Sequence, residues 1–243
     1  MPRLDQLLVD QGRYPSREKA RRAVMAGLVW VDGRRVDKPG TQVSDGVELE
    51  LRDTREPYVS RGGRKMVAAL DHFGISPQGF ACLDVGASTG GFTDCLLQRG
   101  AERVVALDVG RGQLDYRLRQ DPRVEVMEGI NARHLDFEDL GTKFDLIVVD
   151  LSFISLTKVV PALIPFVGSE GRLLVLIKPQ FEVGRGQVGK GGIVRDQNLR
   201  NRVIGERCQD LASQGLDLVG IVESEIAGAK GNLETFALFR RAR

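Results

Sequence analysis

Cysteine is scarce. Cys82, Cys95 and Cys208 are an odd, scattered set without C-x-x-C spacing, which excludes a disulfide framework or a zinc cluster and predicts buried free thiols. No metal is expected. Long apolar runs are also missing: the tightest, residues 146–149 and 173–177, fall well short of the roughly 18–20 residues that span a bilayer. A pore-forming or membrane-spanning protein is therefore disfavoured. The start, Met1-Pro2-Arg3-Leu4-Asp5, lacks the apolar core and small-residue cleavage site of a secretory signal, so a cytoplasmic location is expected. Gly and Pro together, 29 and 9 of 243 residues, stay under the roughly 25–30% of low-complexity chains. At roughly 150 residues per domain, the length suits one large domain or a large and a small one. Lysine is scarce too, because only 8 of the 35 basic residues are lysines and 27 are arginines. Arginine's planar fork suits phosphate and nucleic acid.

Charge is unevenly placed. Residues 1–40 hold nine basic groups against five acidic ones, whereas residues 41–57 hold two against five. Within the basic stretch, Leu4, Leu7 and Leu8 fall on one face of a short helix. Ser16 is placed to cap a second helix with Ala20, Ala23 and Val24 inside and Gly27 as its stop. Residues 28–31 and the Asp32-Gly33 turn predict a hairpin, and residues 47–51 a further strand. This compact unit leaves Arg3, Arg17, Lys19, Arg21 and Arg22 for solvent. The line S-R-E-K-A-R-R-A-V-M-A-G-L-V-W-V-D-G-R-R-V resembles the S4 RNA-binding domain over residues 1–54. That resemblance implies an α+β module whose basic residues meet structured RNA. Residues 55–60 are expected as a linker, ended by a third region, 61–243.

From residue 61 onward, a helix with Met66, Val67, Leu70 and Phe73 on its apolar face leads into regularly spaced strands at 81–85, 104–108, 124–126, 146–150 and 173–178. Several are near-continuous apolar runs, as strands buried on both faces of a parallel sheet must be. Residues 216–226 and 233–239 predict a closing antiparallel pair. The expected fold class is therefore α/β, a doubly wound, Rossmann-like domain behind the small N-terminal one.

The first strand runs into Asp84-Val85-Gly86-Ala87-Ser88-Thr89-Gly90-Gly91-Phe92. Small residues there let the backbone approach a ligand closely. The glycines fall as G-x-x-x-G-G, so the G-x-G-x-x-G dinucleotide fingerprint is not met and a nicotinamide dehydrogenase is disfavoured. The segment instead resembles the first motif of S-adenosylmethionine-dependent methyltransferases. That makes Asp84, Gly86, Ser88, Gly90, Gly91 and Phe92 candidate cofactor-binding residues. Asp108, 22 residues past Gly86, is placed to accept hydrogen bonds from ribose hydroxyls, and Asn131 to meet the adenine edge. Residues 184–191 imitate the start of a P-loop, but Gly191 stands where the Mg²⁺-binding hydroxyl would be, so nucleotide hydrolysis is not expected.

Lys65, Asp150, Lys178 and Glu234 remain. Asp150 and Lys178 end two apolar strands, where open α/β sheets bind ligands and where a charge is rarely buried unless paired. With S-R-G-G-R-K (60–65), V-V-D-L-S-F (148–153), I-K-P-Q-F-E (177–182) and G-N-L-E-T-F (231–236) behind an S4-like region, the chain resembles the TlyA family of FtsJ-like ribose methyltransferases. The resemblance implies a catalytic Lys65-Asp150-Lys178-Glu234 tetrad, S-adenosyl-L-methionine as cofactor, and 2′-O-ribose methylation of ribosomal RNA, free or in subunits. Lys178 is the expected base, with Lys65 beside it and the two carboxylates orienting the ammonium groups, since burial and a neighbouring cation favour a neutral amine. The sequence implies no protein partner and no membrane partner. The competing reading is a non-catalytic RNA-binding assembly factor that binds S-adenosylmethionine. A base- or protein-directed methyltransferase lacks an N-P-P-Y-like or cysteine-centred motif here.

Overall fold

The computed structural model describes residues 1–44, 46–51, 57–184 and 186–242. Contacts divide the chain into two units, Met1–Glu56 and Pro57–Arg243.

In the first unit, α1 (Leu4–Asp10) and α2 (Arg17–Met25) pack on a small sheet of β1 (Val29–Val31), β2 (Arg34–Arg35) and β3 (Leu49–Leu51), ordered β2-β1-β3. Leu4, Leu7, Leu8, Ala20, Ala23, Val24 and Val29 form its core, the face that the helical spacing predicts. Ser16 caps α2 by accepting from the Lys19 N–H. The β1–β2 turn has positive φ at both Asp32 (47°) and Gly33 (72°), the geometry that suits a tight hairpin. The strand expected from residue 47 forms only over Leu49–Leu51. Of the expected linker, residues 55 and 56 lie outside the described residues. Residues 57–60 belong to the larger unit: Val59 N–H donates to Asp94 at 2.8 Å, the Gln98 amide donates to the Pro57 carbonyl, and Tyr58 and Val59 pack on its core. Two adjacent apolar side chains gain more by burial there than a solvated linker would allow.

The second unit begins with α3 (Gly62–His72) and continues as β4 (Ala81–Val85), α4 (Gly91–Gln98), β5 (Arg103–Asp108), α5 (Tyr116–Arg119) and β6 (Val124–Glu128). It goes on through α6 (Phe137–Leu140), β7 (Phe144–Val149), α7 (Val160–Leu163), β8 (Val167–Ile177), α8 (Pro179–Glu182) and α9 (Gln197–Ala212), and closes with β9 (Leu216–Glu223) and β10 (Thr235–Arg241). The seven strands are ordered β6-β5-β4-β7-β8-β10-β9. β6 to β8 run parallel, while β10 is antiparallel to both β8 and β9. Leu83, Val85, Ile147, Val149, Leu173 and Val175 bury one face of the sheet and Cys82, Val104, Leu146, Val148, Leu174 and Leu176 the other, which is why these strands read as unbroken apolar runs. The three cysteines are free and buried.

Chain order reverses between β4 and β7, so the loops that leave their carboxyl ends diverge and open a crevice. Asp150 follows β7 there. β10 adds the second device: Thr235 pairs with Ile177, so the residue before an antiparallel strand, Glu234, lands beside the residue after a parallel one, Lys178.

Candidate active site

Two adjoining cavities open at the carboxyl ends of β4, β5, β7 and β8. The first, about 530 Å³, is lined by Gly86, Ser88, Asp108, Gln113, Asn131 and Asp150 among others. The second, about 480 Å³, contains Lys65, Asp84, Gly91, Phe92, Lys178 and Glu234. Gly86, Ser88, Asp150, Ser152 and Phe153 border both.

The turn after β4 is built for close approach. Gly86 has φ 90°, and a Cβ there would stand 2.3 Å from the Asp150 carbonyl oxygen. Only glycine fits. Asp108 holds the turn through its carboxylate, which accepts from Ser88 N–H at 2.8 Å and Gly110 N–H at 2.7 Å. Asn131 lines the same cavity while its side chain accepts from Arg133 N–H. Of the expected cofactor residues, Gly90 alone lines neither cavity. Its φ of 94° starts α4, and the space a side chain would need is filled by Leu114 and Leu118.

Asp84 is fully buried. Its Oδ2 accepts from the Thr93 N–H at 2.9 Å and from the Thr93 hydroxyl at 2.7 Å, satisfying an otherwise orphaned amide in the first turn of α4. Its Oδ1 is buried without a hydrogen-bond partner among the described residues. Burial pushes this carboxyl up to about 7; the Thr93 hydroxyl pulls it down and the nearby Asp150 charge pushes it further up. An unpartnered carboxylate oxygen beside a glycine cradle suits a cationic ligand group, so the residues present fit the ammonium and sulfonium of S-adenosylmethionine.

The four charged residues meet as two ion pairs. Lys65, on α3, places Nζ 2.6 Å from Glu234 Oε2, with side chains 8% and 2% exposed. Lys178 places Nζ 2.5 Å from Asp150 Oδ1, a contact by distance whose angles depart from a hydrogen bond. Lys178 also donates to Ser152 Oγ at 3.2 Å, and the Gln180 amide donates to Glu234 Oε1 at 3.3 Å. An ammonium carries three donors, so Lys178 is fixed from one side and keeps donor capacity toward the cavity.

Sequence reasoning missed Ser152, Phe153, Gln180 and Gln113. The first two follow Asp150 directly. Phe153 is 90% exposed, has φ 65° and leans on Phe181, ring centres 4.9 Å apart. The P-loop look-alike opens no helix, and Asn232 pins its end by donating to the Gly192 carbonyl and accepting from Val194 N–H.

In the first unit, Arg3 and Arg17 converge on the fully buried Asp5: Arg3 through Nε at 3.1 Å and Nη2 at 3.2 Å, Arg17 through Nε at 3.2 Å. Each arginine is half-exposed. Lys19, Arg21 and Arg22 are exposed, with Arg22 paired to Glu18.

Comparison with known proteins agrees with this geometry. Residues 58–241 match the FtsJ-like methyltransferase family and residues 2–49 the S4 domain. The chain is 48% identical to the Mycobacterium tuberculosis protein named 16S/23S rRNA (cytidine-2′-O)-methyltransferase TlyA, over 98% of this chain and 89% of that one. It is 42% identical to Hemolysin A of Brachyspira hyodysenteriae, over 98% and 99%. A solved Streptococcus thermophilus structure described as a hemolysin superposes with a TM-score of 0.76 at 42% identity, over 99% of this chain and 88% of that one. Among the described residues, no helix is long and apolar enough to cross a membrane. With the methyltransferase model matched over residues 58–241, the S4 model over 2–49 and a TlyA protein 48% identical over nearly the whole chain, the chain belongs to the FtsJ-like methyltransferases, in the S4-bearing TlyA family.

Proposed function

We propose that the protein is an S-adenosylmethionine-dependent 2′-O-ribose methyltransferase of ribosomal RNA. The observation that carries this reading is the pair of lysine–carboxylate contacts lining a cavity that shares its wall with the Gly86 cradle. When bound, S-adenosylmethionine supplies a methyl group already activated by its sulfonium. A ribose 2′-hydroxyl is a poor nucleophile at neutral pH, so the protein's part is to align that oxygen and take its proton. Lys178, reacting as the neutral amine, is the group we assign to the proton: its Nζ lone pair forms the new N–H bond as the ribose O–H bond breaks and the oxygen takes the methyl group. Asp150 and Ser152 fix its Nζ, and the Lys65–Glu234 pair holds α3 and the start of β10 as the opposite wall. Asp84, Gly86, Ser88, Gly91, Phe92, Asp108 and Asn131 hold the cofactor; Gly90 serves by shaping the turn. Alignment of two reactants supplies as much as the base does.

Residues 1–54 supply RNA affinity through Arg3, Arg17, Lys19, Arg21 and Arg22, and residues 61–243 supply chemistry. The substrate is ribosomal RNA or a ribosomal subunit, which places the protein in the cytoplasm.

The test mixes purified protein with methyl-labelled S-adenosylmethionine and, separately, small subunits, large subunits, intact ribosomes and tRNA. Label in alkali-resistant dinucleotides from a ribosomal particle is the expected outcome, lost by roughly 10²–10⁴-fold in Lys178→Ala. Label in bases or protein, or no label despite tight cofactor binding, would overturn the reading. A folded Lys178→Ala with normal turnover would overturn the base assignment alone.

A further inference from the structure

The loop that leaves β7 carries Asp150, Ser152 and Phe153, and it is held at both ends. At its start, Asp150 N–H donates to the Val85 carbonyl at 2.9 Å. Between, Phe153 adopts φ 65°, a conformation rare for a bulky side chain, and projects 90% exposed over Phe181. Backbone of this kind persists only where its surroundings over-determine it. Two residues further on, the loop is anchored by Glu182. Its side chain is 2% exposed; Oε2 accepts from Ser155 Oγ at 2.6 Å and Oε1 from Leu156 N–H at 2.9 Å. Arg207, from α9, stands 3.6 Å from Oε2 and is braced by Asp210 at 2.7 Å. Burial pushes the Glu182 carboxyl above its ordinary range, opposed by these donors.

Glu182 lies four residues after Lys178, and its two donors five and six residues after Asp150. One buried carboxylate therefore ties the loop bearing one member of the Lys178–Asp150 contact to the turn bearing the other. Pairing of β7 with β8 ends at Val149 and Val175, Asp150 N–H still donates to the Val85 carbonyl, and β8 stays paired with β10 to Ile177; past those points this tie joins the loop after Asp150 to the turn after Lys178. Two further contacts join the same loop and turn: Phe153 packs on Phe181, and Ser152 Oγ accepts from Lys178.

We propose that Glu182 is a positioning residue for methyl transfer: its carboxylate latches the 150–156 loop onto the 178–182 turn, setting the Lys178–Asp150–Ser152 geometry and holding Phe153 at the rim of both cavities. Glu182 lines neither cavity. The inference rests on the tetrad being the reaction site, and the experiment separates the two.

Full-length wild type, Glu182→Gln, Ser155→Ala and the double variant are compared for kcat and KM on ribosomal particles with methyl-labelled S-adenosylmethionine, for cofactor Kd by calorimetry, and for thermal midpoint. Glutamine keeps an acceptor for Leu156 but meets the Ser155 hydroxyl only with an amide N–H, reversing that bond, and removes the charge that faces Arg207, so kcat falls roughly 10- to 100-fold while cofactor Kd moves less than about 3-fold. Ser155→Ala falls less, and the double variant is no slower than Glu182→Gln, because both act through one latch. Non-additivity in kcat with cofactor Kd intact is what general destabilisation would not produce. Glu182→Gln with wild-type kcat, or losses that multiply in the double variant, would overturn the proposal. Should Glu182→Gln fail to fold, Ser155→Ala alone decides, by a reduced or an unchanged kcat. Inactive wild type would instead refute the functional reading beneath it.

Discussion

Breaking the Lys65–Glu234 pair separates what the site contributes to stability from what it contributes to chemistry. Lys65→Met keeps most of the apolar stem and removes the ammonium, leaving Glu234, 2% exposed, with the Gln180 amide at 3.3 Å as its described side-chain donor. Removing one member of a buried pair costs about 3–5 kcal/mol, because the survivor is an uncompensated charge. For a unit the size of residues 57–243, where 1 kcal/mol is worth about 2–4 °C, the melting midpoint falls by about 6–20 °C. Lys65→Met/Glu234→Gln removes both charges and recovers most of that loss. Far-ultraviolet circular dichroism follows the larger unit. The single tryptophan, Trp30, lies in the smaller one, so its fluorescence transition stays put and serves as an internal control. Methyl transfer stays lost in both variants, since neither restores the ammonium. A Lys65→Met loss below about 1 kcal/mol would refute the burial argument, and a double variant that recovers activity with its stability would remove Lys65 from the tetrad.

Gly86→Ala adds a side chain at φ 90°, 2.3 Å from the Asp150 carbonyl; strain of about 1–3 kcal/mol is expected to weaken cofactor binding at least 10-fold by calorimetry, and unchanged affinity would contradict the cradle. Asp84 titrates near 7 when folded, above its unfolded value, so its charging costs stability progressively as pH rises from about 4 through 7. A cationic ligand group beside Oδ1 favours the charged form, so cofactor affinity rises from pH 6 to 8 with proton release, seen as buffer-dependent calorimetric heat; a flat profile refutes the contact. Asp5 has its pKa lowered, chiefly by the Arg3 hydrogen bond; its stabilisation is present above the unfolded value of about 4 and lost as pH falls through the lower folded one. Asp5→Asn should therefore lower the stability read from Trp30-monitored unfolding by about 1–2 kcal/mol at neutral pH, and an identical acid limb in the variant would refute that origin. Arg3→Ala and Arg17→Ala should each reduce the slope of log affinity for ribosomal RNA against log salt by about 1 and leave cofactor affinity unchanged.

What could be read in the sequence follows from what kind of interaction fixes each part. The strands of the second unit were legible because burial on both faces demands unbroken apolar runs, and Gly27, Ser16 and the Asp32-Gly33 turn because caps and tight turns restrict residue type locally. α9 was not anticipated: only Val203, Cys208 and Leu211 are buried along its 16 residues, too sparse a stripe among its charges to announce a helix. The four charged residues of the site drew notice because lysines are few and two acids or lysines sit where strands end, yet their pairing, Lys65 with Glu234 and Lys178 with Asp150, was not readable, since it depends on β10 running antiparallel beside β8. Gly90 shows a second constraint behind a motif residue. A glycine in the cofactor motif invites a ligand role, and in the fold its φ of 94° and the packing of Leu114 and Leu118 against it already demand glycine. Glu182 gives no signal in the sequence, because an acid in a short turn is ordinarily solvated; only the folded chain shows its carboxylate buried on donors that come 26 and 27 residues earlier. Residue type thus reveals where charge is costly, and topology decides which opposite charge or donor offsets that cost. At this site the topology does so by converging three strand ends on a crevice that no single segment of the sequence describes.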